Sequence, residues 1–302
     1  MSARAAALAG ALALLACGAL AEPALVASGA YPEGLLWHKG QLYFTEMGAD
    51  RVTLIEGGAT RPFWTDPGCG PTAISPFGQL GFLVNCHLGR HVVEVSDKGV
   101  TGRRFRAASG LPLQDPNASV GDGQGGVYFS DSGIFDRNAP PTGRVYHISA
   151  MGVLTEVVGA LRYTNGVNFD PASRTLYVSE HLARRVWAFT VDSRQRVTAR
   201  KVLIDFSAQA ASRDFRFPLA GPDGIALRPG LLAVAEYGEG RVHLFDREGR
   251  HLNTLKVPMP FVDTVVWDGS GNLLAGGAFQ NTRPPFEGTV VRFAPGEWER
   301  PH

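Results

Sequence analysis

The chain has 302 residues, 44% of them hydrophobic and 19% charged, the composition of a globular protein with a substantial core. A formal net charge of +1 leaves no electrostatic footprint for nucleic acid or an anionic membrane surface, so neither is expected as a partner. Thirty-seven glycines and twenty prolines suit a loop-rich all-β chain.

Residues 1–21 read as an export leader. Arg4 supplies the positive end, Ala5 to Ala16 an apolar run, and Ala19-Leu20-Ala21 a small-x-small cleavage site ahead of Glu22. The run is too short for a membrane span. Leu14-Leu15-Ala16-Cys17 also has the form of a lipobox, in which case Cys17 would become a lipidated first residue. Either route puts the mature chain, 22–302, in the periplasm or outside the cell, as one domain and a monomer.

Residues 24–28 form a short strand, and after them a pattern repeats six times. A polar residue opens a short apolar run, a turn follows, and a second apolar run ends in a polar residue or an acid. Glu33-Gly34-Leu35-Leu36-Trp37 leads to Leu42-Tyr43-Phe44-Thr45-Glu46, and the openings at Thr72, Asn117, Asn165, Asp223 and Asp263 lead to matching runs. Each run suits a strand and is too short for a free-standing helix. Glu33 and Asp263 are five steps and 230 residues apart, an average of 46, which is the period of a four-stranded propeller blade. The expected fold is therefore an all-β, six-bladed β-propeller. Its last repeat is one strand short, so residues 24–28 are expected to supply the missing outer strand and close the ring. Beyond it, 296–302 read as a polar tail.

The second repeat holds two cysteines. Antiparallel pairing about a turn near Gly78 places position 70 opposite Cys86 and Cys69 within one residue of it. In an oxidising compartment the two are expected to form a disulfide. Two repeats carry insertions, Ser132 to Gly143 and Ser207 to Ala220. Strand alternation sends both to the same end of the propeller, the end that carries the six opening residues, and marks it as a binding face.

At that end the inner strands begin beside the central channel. All six opening side chains would converge there, and four of them, Glu33, Asn117, Asn165 and Asp223, are two carboxylates and two amides, all oxygen donors. That set suits one hard divalent cation, Ca²⁺ first and Zn²⁺, Mn²⁺ or Mg²⁺ as alternatives. Glu46, Asn85, Asp131, Glu180 and Glu236 end the second strands on the same face and are candidates to orient the ligands. His87 and His181 lie just beyond two of those strands, and Arg137, Arg213 and Arg216 sit in the insertions. The tyrosines and tryptophans read as core and blade packing. No Gly-x-Ser-x-Gly elbow, phosphate loop, dinucleotide fingerprint or Cys-x-x-Cys pair occurs.

Four segments together resemble the senescence-marker-protein/gluconolactonase (regucalcin-like) family: Glu33-Gly34 with Trp37, Asn117 leading to Gly-Gly-Val-Tyr-Phe-Ser-Asp at 125–131, Thr164-Asn165-Gly166-Val167 with Leu-Tyr-Val-Ser-Glu at 176–180, and Gly-Pro-Asp-Gly-Ile-Ala at 221–226. The resemblance covers nearly the whole mature chain. It implies a six-bladed propeller with a divalent metal in the channel, held by Glu33, Asn165 and Asp223. It also implies that Asn117 touches metal or substrate and that Asp223 acts as base or nucleophile. Where sugar-lactone members tend to have Arg-x-Asn-Asp, this chain has Asp115-Pro116-Asn117-Ala118, which speaks against aldonolactones. Asp115, His87 and His181 complete the candidate substrate contacts. The expected function is an exported, metal-dependent hydrolase of a lactone or related ester acting on a small molecule. The alternatives are a non-catalytic metal- or ligand-binding propeller and a phosphotriesterase-type hydrolase.

Overall fold

The computed structural model describes residues 22–208 and 217–299; the leader with Cys17, and Arg213 and Arg216, lie outside the described residues. Six four-stranded antiparallel sheets are arranged around a channel. Blade one comprises strands 32–38, 41–46, 51–56 and 59–65. Blades two to five begin with Pro71–Phe77, Pro116–Gly121, Thr164–Asp170 and Gly221–Arg228. Blade six has Phe261–Trp267, Leu273–Ala278 and Glu287–Phe293, and its outer strand is Ala24–Ala30 from the other end of the chain. The six-bladed fold and its N-terminal closure thus stand as expected. The closing strand runs two residues further, and Thr289 Oγ1 donates to the Ala27 carbonyl at 2.7 Å.

The second strand of each blade packs against both neighbouring blades, which is why these strands read as continuous apolar runs rather than alternating ones. Hydrophobic packing falls into six clusters, one for each interface between blades. Tyr43, Ile74 and Phe82 join blades one and two, and Ala27, Phe44, Leu274 and Val290 join six to one, so the core runs around the ring without a gap. The innermost strands make contact in the same cyclic order.

Two local expectations need correction. The register in blade two sets Pro71, not position 70, opposite Cys86, because the turn is centred one residue later and a bulge follows Pro71. Cys69 and Cys86 form the disulfide, with Cα atoms 4.5 Å apart. The C-terminal segment is not simply a polar tail. Pro295–Trp298 is a short helix, and buried Trp298 packs edge-on against Trp267, with the Arg228 guanidinium over both rings. An extra two-residue hairpin, Ala107–Ala108 with Leu111–Pro112, precedes blade three. Among the described residues no helix is long and apolar enough to cross a membrane.

Candidate functional site in the channel

Each inner strand carries one irregularity, and it falls at the opening residue every time. The register shifts by one between Pro32 and Leu35, Pro71 and Ala73, Pro116 and Ser119, Thr164 and Val167, Pro222 and Ile225, and Val262 and Thr264. A β-bulge leaves its extra residue outside the ladder and re-aims the side chain. Proline precedes the bulge in four of the six, where its missing N–H costs no ladder bond. Glu33, Asn117, Asn165, Asp223 and Asp263 are turned in this way onto the floor of a cavity that opens at the channel mouth.

The bulges lie against each other around the ring. A Cβ on Gly166 would sit 2.0 Å from the Asp223 carbonyl oxygen, and one on Gly34 2.3 Å from that of Thr72. Gly34, Gly166 and Gly224, each following its polar residue, therefore admit the neighbouring blade. Side chains from the second strands bond the freed backbone groups: Thr45 accepts from the Gly34 N–H, Ser130 from the Ala118 N–H, and Ser179 donates to the Asp223 carbonyl. Thr72, the opening residue of blade two, turns its hydroxyl to the Asn117 carbonyl at 2.9 Å and so braces the floor.

The floor is rich in oxygen and poor in partners. Asn165 Nδ2 donates to Asp223 Oδ2 at 2.6 Å, which leaves Asn165 Oδ1 facing inward. That oxygen, Glu33 Oε2 and Asp263 Oδ2 are sealed from solvent and bonded to nothing. The carboxyl groups of Glu33 and Asp263 meet within hydrogen-bonding range. Two ionised carboxylates in contact require a shared proton or a cation. Burial accordingly lifts Glu33 to about 7, against the contact with Asp263, which lowers it. Asp223 is pushed well above the carboxylate range by burial and then by the charge of Glu33, and Asp263 by burial and then by Glu33 and Asp223. Unpartnered buried oxygens on carboxylates and an amide fit a hard cation, and Glu33, Asn165, Asp223 and Asn117 are in place to hold one. Asp66, Cys86 and His91 also bring ligand-type atoms within 4.8 Å of one another, but the Cys86 sulfur belongs to the disulfide and offers no thiolate.

Above the floor the cavity has a volume of about 460 Å³ and a largely aromatic wall. Tyr31, Tyr163 and Tyr237 line it with Phe135 and Phe286, so the expectation that tyrosines serve only the core is corrected. Tyr31 and Tyr163 each stand two residues before an opening residue, with φ of 59° and 61°. Positive φ in a bulky residue is uncommon and turns these rings toward the mouth instead of the blade. The Tyr31 and Tyr237 hydroxyls lie 3.3 Å apart, and Asn281 Nδ2 donates to Tyr237 at 2.6 Å. Phe135 comes from the first insertion. Arg137 of that insertion donates to the Pro218 carbonyl of the second, whose Phe217 packs on Tyr237 and Phe261. Both insertions thus meet at the mouth, as expected.

His181 is buried in the wall. Its Nε2 donates to the Leu219 carbonyl at 2.8 Å, so Nδ1 carries the lone pair and faces Asp223 Oδ2 at 3.7 Å. Burial lowers this imidazole to about 4 and keeps it neutral. His87 also lines the cavity and is held low by burial, against the opposing charge of Asp115. The Asp115 N–H donates to Asp131 at 2.6 Å. Its charge is felt by His87 and Tyr163, which line the cavity. Among the described residues no lysine or arginine lines the cavity.

The acids ending the second strands bind within their own blade or across to the adjoining one, and not to the floor side chains. Glu46 binds Arg51 and the Ala30 N–H, Glu180 binds Arg185 and the Trp187 indole, and Glu236 binds Arg184 and His243. Asp131 accepts the Gln114 and Asp115 N–H groups. Asn85 does reach the floor, where its Nδ2 donates to the Asn117 carbonyl at 2.7 Å.

The family model described as SMP-30/Gluconolactonase/LRE-like region matches residues 31–274. Lactonase drp35 of Staphylococcus aureus (strain USA300) is 28% identical over 258 residues, covering 79% of this chain and 74% of that protein. A regucalcin from Agrobacterium tumefaciens str. C58, described as a calcium-binding protein, superposes with a TM-score of 0.74 at 18% identity, over 90% of this chain and 92% of that one. A gluconolactonase from Xanthomonas campestris superposes with a TM-score of 0.70 at 19% identity, over 88% and 87%. At these identities the two structures speak for the fold alone.

Proposed function

Since the chain belongs to the SMP-30/Gluconolactonase/LRE-like family, we propose that it is a metal-dependent hydrolase of a lactone or related ester. The observation that carries this reading is the convergence of Glu33, Asn117, Asn165 and Asp223 on one cavity floor, with oxygens left unpartnered there. The likeness to lactonase drp35 supports the reaction class.

A bound divalent cation supplies Lewis-acid polarisation of the acyl oxygen and balances the floor carboxylates. The chain does the rest. Asn165 holds Asp223 by one carboxylate oxygen, leaving the other to take a proton from the attacking water. Direct attack by Asp223, forming an acyl-enzyme that water then hydrolyses, uses the same geometry. His181 Nδ1 stands 3.7 Å from the Asp223 oxygen that Asn165 holds, and burial keeps the ring neutral there. Asn117 positions the substrate's acyl oxygen. The aromatic wall excludes water and takes the apolar part of the substrate, and among the described residues it presents no cationic side chain to an anionic sugar acid.

Metal-loaded protein assayed on a panel of lactones, carboxyl esters and phosphotriesters tests this. Turnover is expected on the first two. Asp223→Asn should retain a metal-induced rise in Tm and lose about 10²–10⁴-fold in kcat. Preference for phosphorus centres would favour the phosphotriesterase reading, and metal binding without turnover on any panel member would leave a binding propeller.

Export is proposed as well, on the leader pattern and on a disulfide suited to an oxidising compartment. Intact mass of protein from the cell envelope, before and after reduction, reads both the mature N-terminus and the bridge; a retained leader or two free thiols would count against it.

A further inference from the structure

Blade six contributes a fifth side chain to the floor. Asp263 is 4% exposed, stands on the same bulge as the other opening residues, and faces the channel beside Glu33, Asn165 and Asp223. Its Oδ2 has no partner, and among the described residues it has no ion pair. The backbone holds it there: a Cβ on Gly224 would lie 2.6 Å from the Asp263 carbonyl oxygen, so blade five packs against this peptide. A buried carboxylate without a cationic neighbour is costly, and a structural role would be filled better by an apolar residue.

A second observation, not itself acidic, points to what completes the site. Asn165 is also 4% exposed, and the bond from its Nδ2 to Asp223 obliges Oδ1 to face the floor with nothing to accept from. An amide oxygen, Glu33 Oε2 and Asp263 Oδ2 are thus three unpartnered acceptors on blades four, one and six, with no donor among them.

We propose that Asp263 is a direct ligand of the channel cation, so that three carboxylates and two amides form an all-oxygen site for Ca²⁺ or a trivalent lanthanide. This rests on the reading of the floor as a cation site. With five oxygen donors and no nitrogen or sulfur, the set matches the ligand number of calcium better than the tetrahedral sites zinc favours. Three negative charges exceed those of a divalent ion, which suits tight binding and a tolerance for a higher charge.

The test uses the full mature chain stripped with chelator, with Ca²⁺ titrated by calorimetry and Tb³⁺ by luminescence. Asp263→Asn keeps the shape and removes one charged oxygen; it should weaken both ions about tenfold or more, since ligand charge count sets affinity in such sites. Its metal-free Tm should stay at or above that of the wild type. Asp50→Asn is the comparison, because Asp50 lines the same cavity while its oxygens accept from the Gly68 and Gly70 N–H groups. That variant should bind within about twofold of wild type. If Asp263→Asn does not fold, Asp263→Ser, smaller and uncharged, takes its place. Binding by Asp263→Asn within twofold of wild type, or an equal loss in Asp50→Asn, overturns the assignment and leaves the cation reading intact. A wild type that binds neither ion overturns both.

Discussion

Gly166 shows how little freedom the floor has at the scale of one residue. The residue before it must point its amide into the channel, and the peptide after it must pass the Asp223 carbonyl of the next blade. A methyl group there would meet that oxygen at 2.0 Å, against backbone that cannot turn aside. Gly166→Ala should therefore destabilise the fold by about 1–3 kcal/mol, the usual cost of overpacking. It should also weaken metal binding, because the displaced peptide carries Asn165. Thermal unfolding with and without Ca²⁺ reads both, and a variant as stable and as responsive as wild type would mean the two strands are not in contact. The glycine is a packing requirement of the ligand beside it.

At the scale of the element, the closing strand carries more than its own pairing. Ala24–Ala30 satisfies the outer edge of Glu287–Phe293, buries Ala27 against Phe44, and is tied to blade one through the Ala30 N–H on Glu46. Removing 24–30 would leave an unpaired edge whose Val290 and Val291 are otherwise buried, and open edges recruit other chains. The shortened protein should melt at a lower temperature and scatter light on standing. A monomeric product with an unchanged Tm would show that blade six closes without this strand. The bulge is the second element that matters: one extra residue in each inner strand, repeated six times, converts a row of ladder positions into a ring of inward-pointing side chains.

For the whole molecule, acid is the expected weakness. Glu236, Glu46 and Asp122 are all held below the ordinary carboxylate range; burial alone would raise them, but His243, Arg51 and His147 respectively bond the charged forms and prevail. A carboxyl group whose folded value is depressed adds stability above its unfolded value, and that stability is lost as pH falls through the folded one. His91 and His251, kept low chiefly by burial, act at higher pH. Their unfolded forms gain protons first as pH drops below the ordinary 6.5, so they too favour unfolding in acid. With the channel cation bound, so that the raised carboxyls of Glu33, Asp223 and Asp263 stay ionised, Tm should thus decline in two stages, gently below about pH 6.5 and steeply below about pH 4.5. Glu236→Gln should lose stability at pH 7 and differ little from wild type near pH 3, as melting curves across the range would show. A constant difference at every pH would mean that Glu236 acts by packing and not by charge.

Much of this molecule is written locally. The blade count, the closing strand, the cysteine pair to within one residue, and the channel-end position of all five floor residues follow from one pairing pattern repeated at a fixed interval. Glu33, Asn117, Asn165 and Asp223 stand at the same point of that pattern, and sharing a register in a closed ring is enough to bring them together. The wall of the cavity is different. Tyr31, Tyr163, Tyr237, Phe135 and Phe286 come from separate blades and loops, and by residue type they are indistinguishable from the tyrosines and phenylalanines of the core. Their place depends on backbone turns of positive φ at Tyr31 and Tyr163 and on the course of the first insertion, which composition does not encode. The acids at the ends of the second strands mislead for the same reason. Sequence puts them near the channel, and only the position of Arg51, Arg184, Arg185 and His243 turns them away from it. A repeat determines where a position lies; what that position touches is decided by neighbours distant along the chain, because burial and pairing are properties of the closed ring.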